Sequence, residues 1–450
     1  KERTTISMDN KQFYKSVFFL VLPMALQNLI NVGISSTDVI MLGRIGEKTL
    51  SGASLGSQVF FILSLFLFGI TSGGAVLIAQ YWGKGDLPTI QKIFGIEMKY
   101  ALLVSFVFMT ATFAFANPIM HIFTNDPEVA SEGVSYLHIV CFSYVLSAIT
   151  MVYLNTMRSM EHVVIATLVY LCSLVTNIVA NYIFIFTPLN MGIRGAAWGT
   201  LIARTVELLI VILYDKKYNP TCQFHFSYFR LHDKLISKDF SRYSLPVIAN
   251  EVAWGLGTSC ISAIIGHLGS AATAANSVTQ VTRQLAMVVT FGIANATAIM
   301  IGKTIGEGNQ ERARQYGQKF LKLAIITGCI GAVIVLIIRP LSIHFMVLTP
   351  LASEYLSKMM LVMSYFVIGQ AINTVLVVGV FRAGGDTRFG LFLDTSFMWG
   401  ISILLGFIAA FALKLPVIIV YIILLSDEIL KIPVCIYRYQ SLKWLKNITK

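Results

Sequence analysis

Long apolar runs separated by short polar joints fill almost the whole chain. Twelve of them reach the roughly 20 mostly apolar residues that a bilayer-spanning helix needs: 16–41, 53–81, 97–117, 134–157, 163–187, 192–214, 243–265, 275–302, 319–338, 358–381, 389–413 and 416–437. The runs are continuous, with no ten-residue alternation, so the pattern predicts helices and excludes a membrane barrel. The first run starts near Val17 and continues past Ile34, too long for a signal-peptide core and without a small-residue cleavage site, so a retained helix is expected. One long polar stretch, 215–242, interrupts the series and is expected to be a cytoplasmic linker. It separates a first lobe, 1–218, from a second, 219–450, each with six helices.

The two lobes repeat one another. At a constant offset of 223, Pro23 meets Pro246, Gly43 meets Gly266, Gly46 meets Gly269 and Gly83 meets Gly306; after one inserted residue, Arg158 meets Arg382. A period this long is the duplication of a whole domain, not a solenoid repeat.

Composition and charge narrow the class. Hydrophobic residues make up 56% and charged residues 12%, against about 45–50% and 25% in soluble domains. With the N-terminus placed inside, 26 of the 34 Lys and Arg fall in inner segments, which orients both termini toward the cytoplasm. An even number of helices per copy then makes the repeats parallel, related by an axis along the membrane normal. The expected fold is therefore an all-α polytopic membrane protein, twelve transmembrane helices in two six-helix lobes related by a pseudo-two-fold along that normal. The net charge of +12 reflects this bias and the attraction of anionic lipid, not nucleic acid. Short loops without long extensions point to a bacterial or archaeal inner membrane.

The six cysteines are scattered without a CxxC, and the seven histidines lack metal-ligand spacing. No P-loop, HExxH or GxSxG occurs, so neither an enzyme nor a cofactor is expected. What remains is a set of polar groups inside the membrane, where an ionisable residue costs about 2.5–3.5 kcal/mol on insertion scales. Asp38, Asn177, Asn181 and Thr200 share one depth in the outer part of the first lobe, with Asn177 and Asn181 four apart on one helix face. Their repeat counterparts are Ile261, Ile401, Leu405 and Leu424, all aliphatic. One carboxylate with three neutral oxygens suits a small hard cation such as sodium, or a proton in a hydrogen-bonded cage. An interhelical polar clamp is the plainer alternative.

In the second lobe, Glu251 and Asp394 enter their helices from the same side to similar depth, so they are candidates to share a proton or cation. The alternative there is pairing with cytoplasmic Lys or Arg. Arg204 with Glu207, and Glu428 with Lys431, form i,i+3 pairs of reversed polarity at matched positions, expected to neutralise themselves structurally; Asp427 is left unpaired by this logic.

Taken together, Pro23, the run from Ser36 to Gly46 with its copy ending at Gly269, the run from Arg158 to His162, Asn177 to Phe186, Gly192 to Thr200, and Arg382 to Phe389 resemble the multidrug and toxic compound extrusion (MATE) transporters. The resemblance covers nearly the full length. It implies two lobes forming a V, alternating access to a cleft, and export of organic cations or other amphipathic drug-like compounds against sodium or proton entry, by a protein that works as a monomer. It also implies a first-lobe cation site at Asp38, Asn177, Asn181 and Thr200, and a second-lobe coupling glutamate at Glu251. Some members carry Asp where this chain has Asn181, which leaves the coupling ion open between sodium and proton. Expected cleft residues are Gln27, Asn28, Asn250, Trp254, Gln284 and Met287. A lipid-linked oligosaccharide flippase of the same superfamily would share the plan, but would be expected to carry several basic residues along its cleft, where this chain's helix interiors offer Arg204 and Arg283.

Overall fold

The computed structural model describes residues 2–187, 189–219, 221–230, 233–345 and 348–449. Of the cations counted on the inner side, Lys1, Lys450 and the side chains of Arg3 and Arg230 lie outside that description. The described residues form helices with no strand: α1 (Glu2–Gly43), α2 (Glu47–Lys84), α3 (Leu87–Ala114), α4 (Ala116–Phe123), α5 (Pro127–Val140), α6 (Ser143–Ser159), α7 (Val164–Phe186) and α8 (Ile193–Tyr218). After a 3₁₀ turn at Phe226–Arg230 come α9 (Lys234–His267), α10 (Ser270–Gly306), α11 (Gln310–Phe345), α12 (Pro350–Thr374), α13 (Thr387–Phe397), α14 (Leu404–Phe407), α15 (Val417–Leu425), α16 (Asp427–Leu430) and α17 (Ile432–Gln440). π-helical turns at Val375–Phe381, Met398–Ile403 and Ile408–Ala412 continue α12, link α13 to α14, and follow α14.

Ten helical spans among the described residues are long and apolar enough to cross a membrane, or eleven when α5 and α6, bent by 53°, count as one. The run expected at 416–437 is broken into α15, α16 and α17. The backbone N–H of Asp427 donates to Ser402 Oγ at 2.9 Å, and Pro433, without an N–H, opens the first turn of α17. Pro23 and Pro246 sit inside α1 and α9 at matched repeat positions; membrane helices tolerate this because neighbouring groups satisfy the freed carbonyl. Gly85 and Gly308, also matched, close α2 and α10 at φ 78° and 80°, a backbone that a Cβ disfavours.

Two compact units result. One comprises Lys1–Ala25, Ala79–Gly85 and Ala249–Lys450, and the other Leu26–Ile78 and Asp86–Ile248, so α1, α2 and α9 each contribute to both. The first unit is built on a large apolar cluster that includes Ile261, Met287, Met360, Tyr421 and Leu424. The second has a smaller cluster of Leu42, Ala53, Ile185, Ile193 and Ala196 beside its polar interior. The start of the polar stretch after α8 packs back on the second unit. Asp215 accepts from Tyr153 Oη at 3.0 Å, Asn219 Nδ2 at 3.1 Å and Phe224 N at 3.0 Å.

Candidate functional site

Within the second unit, three of the four polar residues expected to form a first-lobe site line one cavity of about 170 Å³, Asp38 from α1, Asn177 from α7 and Thr200 from α8; the fourth, Asn181, stands behind the lining and ties Asp38 to Asn177. Asn177 and Asn181 face inward because α7 turns the stripe Ser173, Asn177, Asn181 to the interior and points Val175, Val179 and Tyr182 outward. Asn181 Nδ2 donates to Asp38 Oδ1 at 2.6 Å and reaches Asn177 Oδ1 at 3.3 Å. Its own Oδ1 is buried without a protein partner and occupies the space beside Gly199 where a side chain would otherwise stand. The amide thus caps the carboxylate through its N–H groups. Rotation about its terminal torsion would turn the oxygen to Asp38 and Asn177 instead, producing the oxygen-rich set that a hard monovalent cation requires.

The rest of the wall was not assigned to this site from the sequence, which placed Arg204 only in a structural pair with Glu207. Tyr136, Ser143 and Tyr144 come from α5 and α6, Ser57 and Phe60 from α2, and Arg204 from α8. Ser173 was discoverable, lying four residues before Asn177 on the same face; isolated hydroxyls on other helices carry no such signal. Among the described residues there is no cluster of three or more His, Cys, Asp or Glu that would hold a metal. In the first unit the counterpart positions are apolar: Ile261 and Leu424 are core, while Leu405 is exposed.

Glu251 and Asp394 take separate cations. Arg382 Nη2 lies 2.5 Å from Glu251 Oε1, and Lys431 Nζ lies 3.1 Å from Asp394 Oδ1. The expected pair Arg204–Glu207 forms at 2.6 Å. Its counterpart is larger than expected, because Lys431 also lies 3.1 Å from Asp427 and 3.6 Å from Glu428, so Asp427 is paired after all. The residues proposed for a cleft scatter. Gln27 is buried and donates to Val163 O and Thr167 Oγ1 at 3.1 and 3.0 Å, while the buried Nδ2 of Asn28 has no protein partner. Asn250 donates to Asp394 Oδ2 at 3.0 Å. Met287 is core, Trp254 packs against that core, and Gln284 is exposed. All six cysteines are free thiols.

Ionisable groups held in an internal cavity of a bundle of membrane-length helices mark a functional site, of the kind that lies on an ion or substrate pathway. The MatE family model matches residues 23–183 and 246–408, one stretch in each copy of the repeat, and the chain belongs to the MATE family of membrane transporters. It is 20% identical over 438 residues to the uncharacterized transporter YisQ of Bacillus subtilis, covering 96% of this chain and 95% of that one. It is 24% identical over 412 residues to the probable multidrug resistance protein NorM of Rhizobium meliloti, covering 90% and 87%. Among solved structures, a MOP superfamily transporter from Pyrococcus furiosus matches with a TM-score of 0.86 at 18% identity, over 95% of this chain and 96% of that one. A Vibrio cholerae MATE transporter matches with a TM-score of 0.86 at 16% identity, over 96% and 98%. At these identities the structural likeness speaks for the fold.

Proposed function

We propose that this protein is an antiporter that exports organic cations or other amphipathic drug-like compounds, driven by the entry of sodium or protons bound at Asp38, Asn177, Asn181 and Thr200. The observation that carries this reading is the cage around Asp38: a membrane carboxylate held by Asn181 at 2.6 Å inside a polar cavity, with no Lys or Arg in ion-pair contact among the described residues. Glu251 and Asp394, by contrast, already carry cationic partners, which favours the first copy of the repeat for coupling. The multidrug resistance names of relatives such as NorM support the cargo class. Lys and Arg placement supports cytoplasmic termini in an inner membrane.

The energetics are sufficient. One positive charge moving inward releases about 2.3 kcal/mol per 100 mV. That release drives cargo outward when cation and cargo favour opposite conformations. The test is exchange in proteoliposomes loaded with a fluorescent organic cation, under a sodium gradient or a proton gradient imposed separately. Exchange is expected under one gradient and lost in Asp38→Asn. Retained exchange in that variant, or exchange lost in Glu251→Gln alone, moves coupling elsewhere; no exchange under either gradient removes the antiporter reading.

A further inference from the structure

The Arg204–Glu207 pair has no part in the Asp38 cage, yet it stands between two compartments. A second cavity of about 260 Å³ lies in the same unit, lined among others by Ser147, Thr150, Tyr170, Arg204 and Glu207. It shares Ile34, Phe60 and Arg204 with the Asp38 cavity, so Arg204 forms part of both walls. Glu207 is 1% exposed. Ser147 Oγ and Thr150 Oγ1 are buried and have no partner among the described residues. Buried hydroxyls in native proteins are almost always hydrogen-bonded, to water where no protein group serves. At about 30 Å³ per water, the second compartment accommodates several waters or a hydrated ion.

The charges supply the rest. Arg204 is ion-paired to Glu207 and within electrostatic reach of Asp38. The remaining titratable groups facing the two compartments are Tyr136, Tyr144 and Tyr170, the last under Arg158. With Asp38 and Glu207 ionised, the three charges sum to one negative, so a single monovalent cation neutralises the set. It does so at either carboxylate: a cation at Asp38 leaves Arg204 to Glu207, and a cation at Glu207 leaves Arg204 to Asp38. Both arrangements keep every buried charge compensated, which single buried charges require.

We propose that Glu207 is a second station for the coupling cation, reached from Asp38 through the hydrated compartment by an exchange of partners at Arg204. The ligand is a monovalent cation carried with water, a proton or sodium. The inference rests on the reading of Asp38 as the coupling site, and the test separates the two. Wild type, Asp38→Asn, the charge-conserving double variant Arg204→Met with Glu207→Gln, and Thr150→Val are reconstituted with ethidium as the exported cation. The initial rate and the half-saturating ion concentration are read under sodium and proton gradients in turn.

The double variant removes both charges together, so a purely self-neutralising pair would leave transport unchanged. It is expected to slow exchange at least tenfold under the gradient that drives wild type, with the half-saturating concentration within twofold. Thr150→Val, which preserves shape and removes one hydroxyl, is expected to slow exchange at least threefold with the same split. Wild-type rates in Thr150→Val overturn the station at Glu207 while leaving Asp38 standing, and so do wild-type rates in the double variant. Wild-type exchange in Asp38→Asn overturns the parent reading, and this one with it.

Discussion

Asn181 sets the polarity of the Asp38 site, because a side-chain amide can offer either N–H or oxygen to the same neighbours. Its position depends on Gly199, since a Cβ there would collide with Asn181 Oδ1. Gly199→Ala should therefore act against the ordinary trend. Within a helix, Ala is favoured over Gly by about 1 kcal/mol, so the fold should be maintained. The displaced amide would no longer reach Asp38, and the half-saturating cation concentration should rise about tenfold, equivalent to about 1.4 kcal/mol. Ion-dependent exchange measured beside thermal unfolding checks both halves, and an unchanged ion dependence would mean that the amide does not serve the cation. The charge of Asp38 and the i,i+4 spacing of Asn177 and Asn181 were readable in the chain, as was the loss of all four polar groups in the second copy. Tyr136, Tyr144 and the partition formed by Arg204 were not, because a hydroxyl or an ion pair on a separate helix acquires its meaning only from what packs across it.

At the scale of elements, the last run shows how tertiary partners override an apolar pattern. Residues 416–437 read as one span, yet the amide of Asp427 leaves the helical ladder for Ser402 Oγ, in the π-helical turn Met398–Ile403. The break lets Asp427 and Glu428 both reach Lys431 while Asp394 approaches from α13. Three carboxylates thus share one ammonium. Removing the ammonium strands all three, and breaking a buried pair typically costs about 3–5 kcal/mol. Removing one carboxylate relieves an excess. Lys431→Met should lower the thermal midpoint strongly in detergent, whereas Asp427→Asn should change it little; equal losses in the two would contradict the shared-ammonium arrangement. The number, length and order of most helices were legible because bilayer thickness imposes them. The 53° bend between α5 and α6 and the π-helical turns were not, since neither interrupts the run of apolar residues.

For the molecule as a whole, the duplication left a reciprocal contact where the end of α2 meets the end of α10, inside the first unit. A Cβ on Gly83 would strike the carbonyl of Lys303, and a Cβ on Gly306 would strike the carbonyl of Gln80. Those four positions are two pairs at the repeat offset of 223, Gly83 with Gly306 and Gln80 with Lys303, so each copy offers a glycine to the other's carbonyl. The crossing is further tied by the fully buried Gln80. Its Nε2 donates to Ala383 O and Lys446 O at 2.8 and 3.1 Å, and its Oε1 accepts from Ile448 N at 2.9 Å. Residues 441–449 are thereby held against the same helix ends, with Trp444 fully buried and Asn447 donating to Ile305 O at 3.2 Å. A methyl group at either glycine meets backbone carbonyl and no flexible side chain, so the helices themselves must part. Overpacking of this kind costs about 1–3 kcal/mol. Because the contact is reciprocal, Gly83→Ala and Gly306→Ala should lower the thermal midpoint by similar amounts. Gly46→Ala, where a Cβ would meet nothing within 4 Å, provides the neutral comparison. The double variant discriminates further: both substitutions push the same two helices apart, so their effects should be less than additive, as neighbouring sites that share one displacement are. Full additivity would show that the two contacts yield independently, and that the crossing is two local fits with no shared joint.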